Sequence, residues 1–140
     1  MMTPEFALHA IQAKFIAEQS SVSIPMQKAG SFTAVLSAGG IEVDNLGNQP
    51  HLPWRVLGEA VRLLCLKGGR AARGKAMTAR LGDPELPLDS IEGHIAHVVY
   101  DRKVGDSVFR RVTPISCILV WAGICESLPG AFRLIADSSS

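Results

Sequence analysis

Three cysteines, two tryptophans and one tyrosine are all the chain has of those residues, and each scarcity closes off a class of function. Cys65, Cys117 and Cys125 are odd in number, widely spaced and set among apolar neighbours. That pattern speaks against a disulfide framework and a paired-cysteine zinc site, and fits buried, reduced thiols in a cytoplasmic protein. Long apolar runs are missing: the most apolar stretch, Ile115 to Ile124, is about half of a membrane-spanning helix. Met1-Met2-Thr3-Pro4-Glu5 lacks the basic-then-apolar pattern of a signal peptide. The expectation is a cytoplasmic protein with no membrane partner.

Charge is sparse too, at 19%, and nearly cancels to +1. This excludes a histone-like nucleic-acid binder but not a local patch, which acts through its local field. With 140 residues and 47% apolar content the chain can build a core. The expectation is one α+β domain over 1–140, with an N-terminal helix and connector over 1–30, a compact core over 31–126 and a tail over 127–140.

Against this neutral background one segment stands out. Arg62, Lys67, Arg70, Arg73, Lys75 and Arg80 run from 62 to 80 with no Asp or Glu among them. Spacings mostly of three to five can gather several on one helical side, and phosphate backbones are bound by such point charges and guanidinium forks. Arg102, Lys103, Arg110 and Arg111 could extend the same surface. The plainer alternative is a solvated face whose cations pair with acids elsewhere.

Local signals give the order of elements. Thr3-Pro4-Glu5 starts a helix predicted over Pro4 to Gln19, with Leu8, Ile11 and Phe15 on one side. Ser20 to Lys28 reads as a polar connector. Ser31 to Leu46 reads as a hairpin turning at Gly39-Gly40 with positive φ, Ala38 facing Ile41. Phe32, Ala34, Leu36, Ala38, Ile41 and Val43 would share the buried face, with Val35 the apolar exception on the other. Leu52-Pro53-Trp54 opens a helix carrying Val56, Leu57, Ala60, Val61 and Leu64, ended by Gly68-Gly69.

Further on, Arg70 to Leu81 reads as a basic helix and Gly82 to Leu88 as a loop. Asp89-Ser90-Ile91-Glu92 has the form of a capping box, with Asp89 at the cap. Ile91, Ile95 and Val98 form the stripe of the helix it starts. Asp101 to Asp106 is a charged loop and Ser107 to Val112 a short strand. Thr113-Pro114 repeats the helix-start chemistry before Ile115 to Ala122, for which a strand pair is the competing reading. After Ser127 only Phe132 to Ala136 is apolar, and the last serines are expected to fray. The most specific arrangement is winged-helix-like, with helices over 54–67, 70–81 and 89–100 and a wing near 105–113. Its Gly82 to Leu88 connection is longer than the usual helix-turn-helix turn.

Catalytic patterns are weak. Gly69-Arg-Ala-Ala-Arg-Gly74-Lys75 matches a phosphate loop until Ala76 replaces the magnesium-binding hydroxyl. His94 and His97 could share a helix side and a metal, but no further ligands are evident, and hydrogen-bonded histidines are expected instead. Val98 to Lys103 has the local form of a metal-dependent nuclease strand, with Asp101 and Lys103 as the chemistry, yet the capping box makes this region helical. No serine sits in a nucleophile elbow, and the cysteines have no evident base. Trp54, Phe109 and Trp121 are expected in the core rather than as stacking platforms. The reading is of no catalytic residues, no metal and no cofactor.

Four blocks carry a resemblance: Gly40-Ile-Glu-Val-Asp-Asn-Leu-Gly47, Leu52-Pro-Trp54, Leu88-Asp-Ser-Ile-Glu-Gly-His94 and Asp106-Ser-Val-Phe-Arg-Arg-Val-Thr-Pro-Ile115. They resemble small orphan proteins of bacterial mobile gene cassettes of the integron type. The resemblance implies a compact bacterial cytoplasmic protein able to form oligomers, and carries no activity. The leading functional expectation is a non-enzymatic module binding nucleic-acid phosphates through Arg70, Arg73, Lys75, Arg80, Arg102, Lys103, Arg110 and Arg111. A homo-oligomeric interaction module, resting on Phe6 to Ile16 and Phe132 to Ala136, is the second. A magnesium-dependent nuclease is the third.

Overall fold

The computed structural model describes residues 2–26 and 29–135. Its order is α1 (Pro4–Ala17), β1 (Ser21–Pro25), β2 (Ser31–Ser37), β3 (Gly40–Val43), β4 (His51–Pro53), α2 (Trp54–Leu66), β5 (Arg70–Ala72), α3 (Ile91–Val98), α4 (Val112–Trp121), β6 (Cys125–Leu128) and β7 (Ala131–Leu134). The class is α+β, with two antiparallel sheets ordered β1-β2-β3-β4 and β5-β7-β6. No helix among the described residues is long and apolar enough to cross a membrane.

The first sheet follows the alternating pattern. Phe32, Ala34, Ile41 and Val43 are buried, and Val35 is exposed on the far face. The turn differs from expectation: Ser37 pairs with Gly40 and Leu36 with Ile41, so Ala38-Gly39 forms the loop. Neither Gly39 nor Gly40 takes a positive φ. Gly40 is held in the strand because β4 crosses it closely, and a Cβ there would overlap the Leu52 carbonyl. The register moves by an even step, so every side chain keeps its face. Ser21–Pro25, expected as connector, is instead an edge strand on β2 with Ile24 buried. Gln27 and Lys28 of that connector lie outside the described residues.

Helix α2 packs against α1, α3, β4, β5 and β7. Its expected stripe, Val56, Leu57, Ala60, Val61 and Leu64, is fully buried. Helix α1 begins as its sequence requires, Thr3 Oγ1 accepting the Phe6 N–H at 3.1 Å. One contiguous core joins both sheets, from Ala7 to Phe132.

Three expectations are corrected in the second half. Arg70 to Leu81 is not helical: Arg70–Ala72 is strand β5, paired with β7, and turns follow. Ser107 to Val112 forms no strand, so neither the middle helix nor the wing of a winged-helix arrangement is present. The supposed tail is structural up to Leu134, since β7 is the central strand of the second sheet and Phe132 is buried. The terminal serines lie outside the described residues. Ile115 to Ala122 resolves as helix α4, whose N-cap is Arg111 rather than Thr113.

Candidate nucleic-acid interface

Two cationic segments distant in sequence are brought together by turns. Two residues beyond strand β5, Gly74 with a φ of +86° turns the chain over the start of α3. A Cβ at Gly74 would press on Ser90 Oγ, Leu86 and Glu92, so only glycine fits. The Glu92 N–H donates to the Arg73 carbonyl at 2.9 Å, fixing this turn. Further along, the Leu81 N–H donates to the Asp106 carbonyl (3.0 Å) and the Gly105 N–H to the Leu81 carbonyl (2.8 Å). Arg80 Nη1 reaches the Gly105 carbonyl at 3.3 Å, and Arg110 Nη1 lies against Met77 Sδ at 2.6 Å.

The cations themselves divide. Arg62 pairs with Glu59 (3.3 Å), Lys67 with Asp89 (2.5 Å) and, at the limit of an ion pair, Lys75 with Glu85 (3.9 Å). Arg70 stands opposite Arg133 across the β5–β7 ladder, and Arg133 pairs with Glu126. Arg73 is partly buried, its guanidinium over the Phe132 ring (4.2 Å) and donating to Ser127 Oγ (2.7 Å). Arg102 and Lys103 are exposed. Arg111 is buried, stacked between Tyr100 and Phe109. The predicted eight therefore do not form one continuous patch.

A subset does converge. Arg73, Lys75, Arg110 and Thr113 line a cleft of about 220 Å³ with Met77 at its edge. Arg73, Arg110 and Thr113 also line a neighbouring cleft of about 290 Å³, walled by Met26, Ser116 and Cys117. The two clefts share Arg73, Arg110 and Thr113 as common lining, and are called the Arg73–Arg110 groove below. Arg110 Nη2 donates to Thr113 Oγ1 at 2.9 Å, holding the guanidinium beside the start of α4. Burial pushes the Arg73 pKa down; the Cys117 thiol works against that shift, while neighbouring Arg110 adds to it. A separate, polar cleft of about 190 Å³ is lined by Arg102, Arg111, Gln49, Tyr100, Ser107 and Phe109.

Glu92 sits behind this surface and was misassigned by sequence. The cap of α3 is Ser90, whose Oγ accepts the Gly93 N–H at 3.0 Å, not Asp89. Glu92 is only 2% exposed and turns away from its own helix start. Its Oε1 accepts the Arg111 N–H at 2.6 Å, and Oε2 is buried with no hydrogen-bond partner among the described residues. Burial raises its pKa from 4.5 to about 7, against the opposing pull of the Arg111 N–H and the positive charges of Arg111 and Arg110.

Other candidates resolve simply. His94 Nε2 contacts Glu59 Oε1 at 2.9 Å, and His97 Nδ1 the Arg102 carbonyl at 3.0 Å. Among the described residues, no three His, Cys, Asp or Glu side chains cluster to hold a metal. Residues 91–98 are helix, so the nuclease-type strand before Asp101 is not formed. Cys117 and Cys125 are buried as expected, whereas Cys65 is at the surface. Trp121 packs edge-on to Phe15 (4.9 Å) and Trp54 borders the core, but Phe109 is partly exposed on Arg111. The chain matches no protein-family model, no curated protein and no solved structure.

Proposed function

We propose that this chain is a non-enzymatic binding module for nucleic acid, gripping backbone phosphates in the Arg73–Arg110 groove. The observation that carries the reading is convergence: Arg73 and Lys75 follow β5, Arg110 precedes α4, and all three line one cleft with the Thr113 hydroxyl. Guanidinium forks beside a hydroxyl suit phosphate oxygens. Burial and mutual repulsion both disfavour the charge on Arg73, and a bound phosphate would offset both. Arg70, Arg80, Arg102 and Lys103 would add long-range attraction rather than contacts. A bacterial mobile-cassette origin is part of the same proposal and adds no chemistry to it.

Fluorescence anisotropy with a labelled oligonucleotide, single- and double-stranded, tests this. Three phosphate contacts predict a loss of about twenty- to fortyfold in affinity between roughly 50 and 200 mM salt. Arg110→Ala should weaken binding and reduce the log–log salt slope by about one. Absence of binding at low salt, or an unchanged slope in Arg110→Ala, would remove the reading.

A second reading, a module that pairs with another copy of itself, has one observation of its own. Phe6 and Ile16 on α1 are 60% and 64% exposed, whereas Phe132, the other expected contact, is sealed in the core. Ala136 lies outside the described residues. The expected result is a dimer in light scattering that Phe6→Ser with Ile16→Ser converts to monomer. A wild-type monomer at high concentration discards it.

A further inference from the structure

Arg111 is a buried cation held by neutral groups. It is 8% exposed, yet among the described residues no carboxylate lies within ion-pair distance of its side chain. Its guanidinium lies 3.7 Å from the Tyr100 ring centroid and 4.7 Å from that of Phe109. Nη2 donates to Gln49 Oε1 at 2.7 Å and Nη1 to the Phe109 carbonyl at 3.4 Å. Glu92 acts on this charge through space, but its bonded oxygen is committed to the Arg111 backbone N–H. Aromatic faces and carbonyls steady a guanidinium without neutralising it, and a buried charge without a counter-ion is costly.

The cleft in front of Arg111 has the chemistry of the missing partner. Its lining contains no carboxylate. Arg102 brings a second guanidinium, exposed and without an ion pair among the described residues. Ser107 and Tyr100 carry hydroxyls, and Gln49, its oxygen spent on Arg111, keeps its amide N–H groups to donate. The volume, about 190 Å³, is below that of a site for a whole drug-sized ligand but suits one head group.

We infer that this cleft is a phosphate-monoester site, with Arg111 at its base, Arg102 at its rim, and Ser107, Tyr100 and Gln49 as neutral donors. Two guanidiniums match the charge of about −1.5 to −2 on a monoester better than the single charge of a carboxylate. Forked donors fit its terminal oxygens. The site is distinct from the Arg73–Arg110 groove and stands whether or not that groove binds nucleic acid. The monoester could belong to a small molecule or to the phosphorylated end of an oligonucleotide.

The test is an amide and arginine-Nε NMR titration of the full chain with inorganic phosphate at constant ionic strength. The expected result is saturable shifts at Ser107, Arg102 and Arg111, with affinity falling about tenfold or more in Arg102→Ala. Arg62→Ala, which removes an exposed cation outside both clefts, should bind phosphate as wild type does. Arg102 is exposed, so its variant does not depend on the core surviving. No saturable shift, or equal affinity in Arg102→Ala, overturns the inference. A 5′-phosphorylated oligonucleotide that displaces phosphate where its 5′-hydroxyl counterpart does not identifies a nucleic-acid end as the source. Phosphate binding that neither oligonucleotide disturbs identifies a small molecule. The 5′-hydroxyl strand also reports on the groove alone, which separates failure of one site from failure of the other.

Discussion

Glu92 caps a helix that is not its own: its Oε1 accepts the backbone N–H of Arg111, the residue at the start of α4, at 2.6 Å. A carboxylate at a helix N-terminus meets both an unsatisfied donor and the positive end of the dipole. The same residue donates its N–H to the Arg73 carbonyl, so it ties the β5 turn to α4 and sets the separation of Arg73 and Arg110. Burial of the other oxygen without a partner is the cost.

That cost makes stability pH-dependent. In the folded chain Glu92 holds its proton up to about pH 7, against an ordinary value of 4.5. Between those values the folded chain keeps a proton that the unfolded chain has released, so stability falls as pH rises and levels off above pH 7. The loss is on the order of 3 kcal/mol. Asp89, held below its usual range by its hydrogen bond to Lys67, acts only at lower pH. Denaturant unfolding at pH 5 and pH 8 should show a larger drop for wild type than for Glu92→Gln. Parallel losses in both proteins would refute this.

Ser90→Ala should cost about 1–2 kcal/mol. It removes the acceptor for the Gly93 N–H and the donor to the Pro87 carbonyl, a bond of 2.7 Å. Asp89→Ala should cost less, because its ion pair with Lys67 is exposed. Thermal melts of the two variants give the order, and the reverse order would restore Asp89 as the cap.

Gly93→Ala inverts the usual helix rule. Inside a free helix alanine is favoured over glycine by about 1 kcal/mol. Here a Cβ would overlap the Pro87 carbonyl oxygen and crowd Ser90 Oγ. The variant should be destabilised, with a lower denaturant midpoint. An unchanged or raised midpoint would show that the chain at Pro87 gives way.

Phe132→Ala should cost about 3–5 kcal/mol. Phe132 is 1% exposed, carries Arg73 on its ring and sits in the strand joining β5 to β6. Chemical denaturation measures the loss. A change under about 0.5 kcal/mol, the range of ordinary surface substitutions, would return this segment to the status of a tail.

What the sequence showed well was local. Thr3 before Pro4, the α2 stripe and the alternation from Phe32 to Val43 each carry their answer within a few residues. The turn at Ala38-Gly39 is not legible locally because Gly40 serves β4, whose Leu52 and Pro53 pass over it from further along the chain. Arg70-Ala-Ala reads as helix by propensity, yet it pairs with Arg133, Phe132 and Ala131, which no nearby residue announces. Of the cationic site, Arg73, Lys75 and Arg110 were legible as charges. Their meeting was not, since it depends on turns such as Gly74 and on Glu92. Arg111 was counted as one more surface cation, although Tyr100 and Phe109 enclose it.

The second sheet cannot close in the order in which it is made. Strand β5 leaves the ribosome with Arg70 long before β7 arrives with Arg133, and β6 also joins only through β7. Until then Ala71 and the flank of α2 that β7 will cover lack that strand to lie against. Pairings this far apart along the chain are slow to form, so the nascent protein passes through a stage in which the first sheet can be complete while Arg73 still lacks the ring that steadies it.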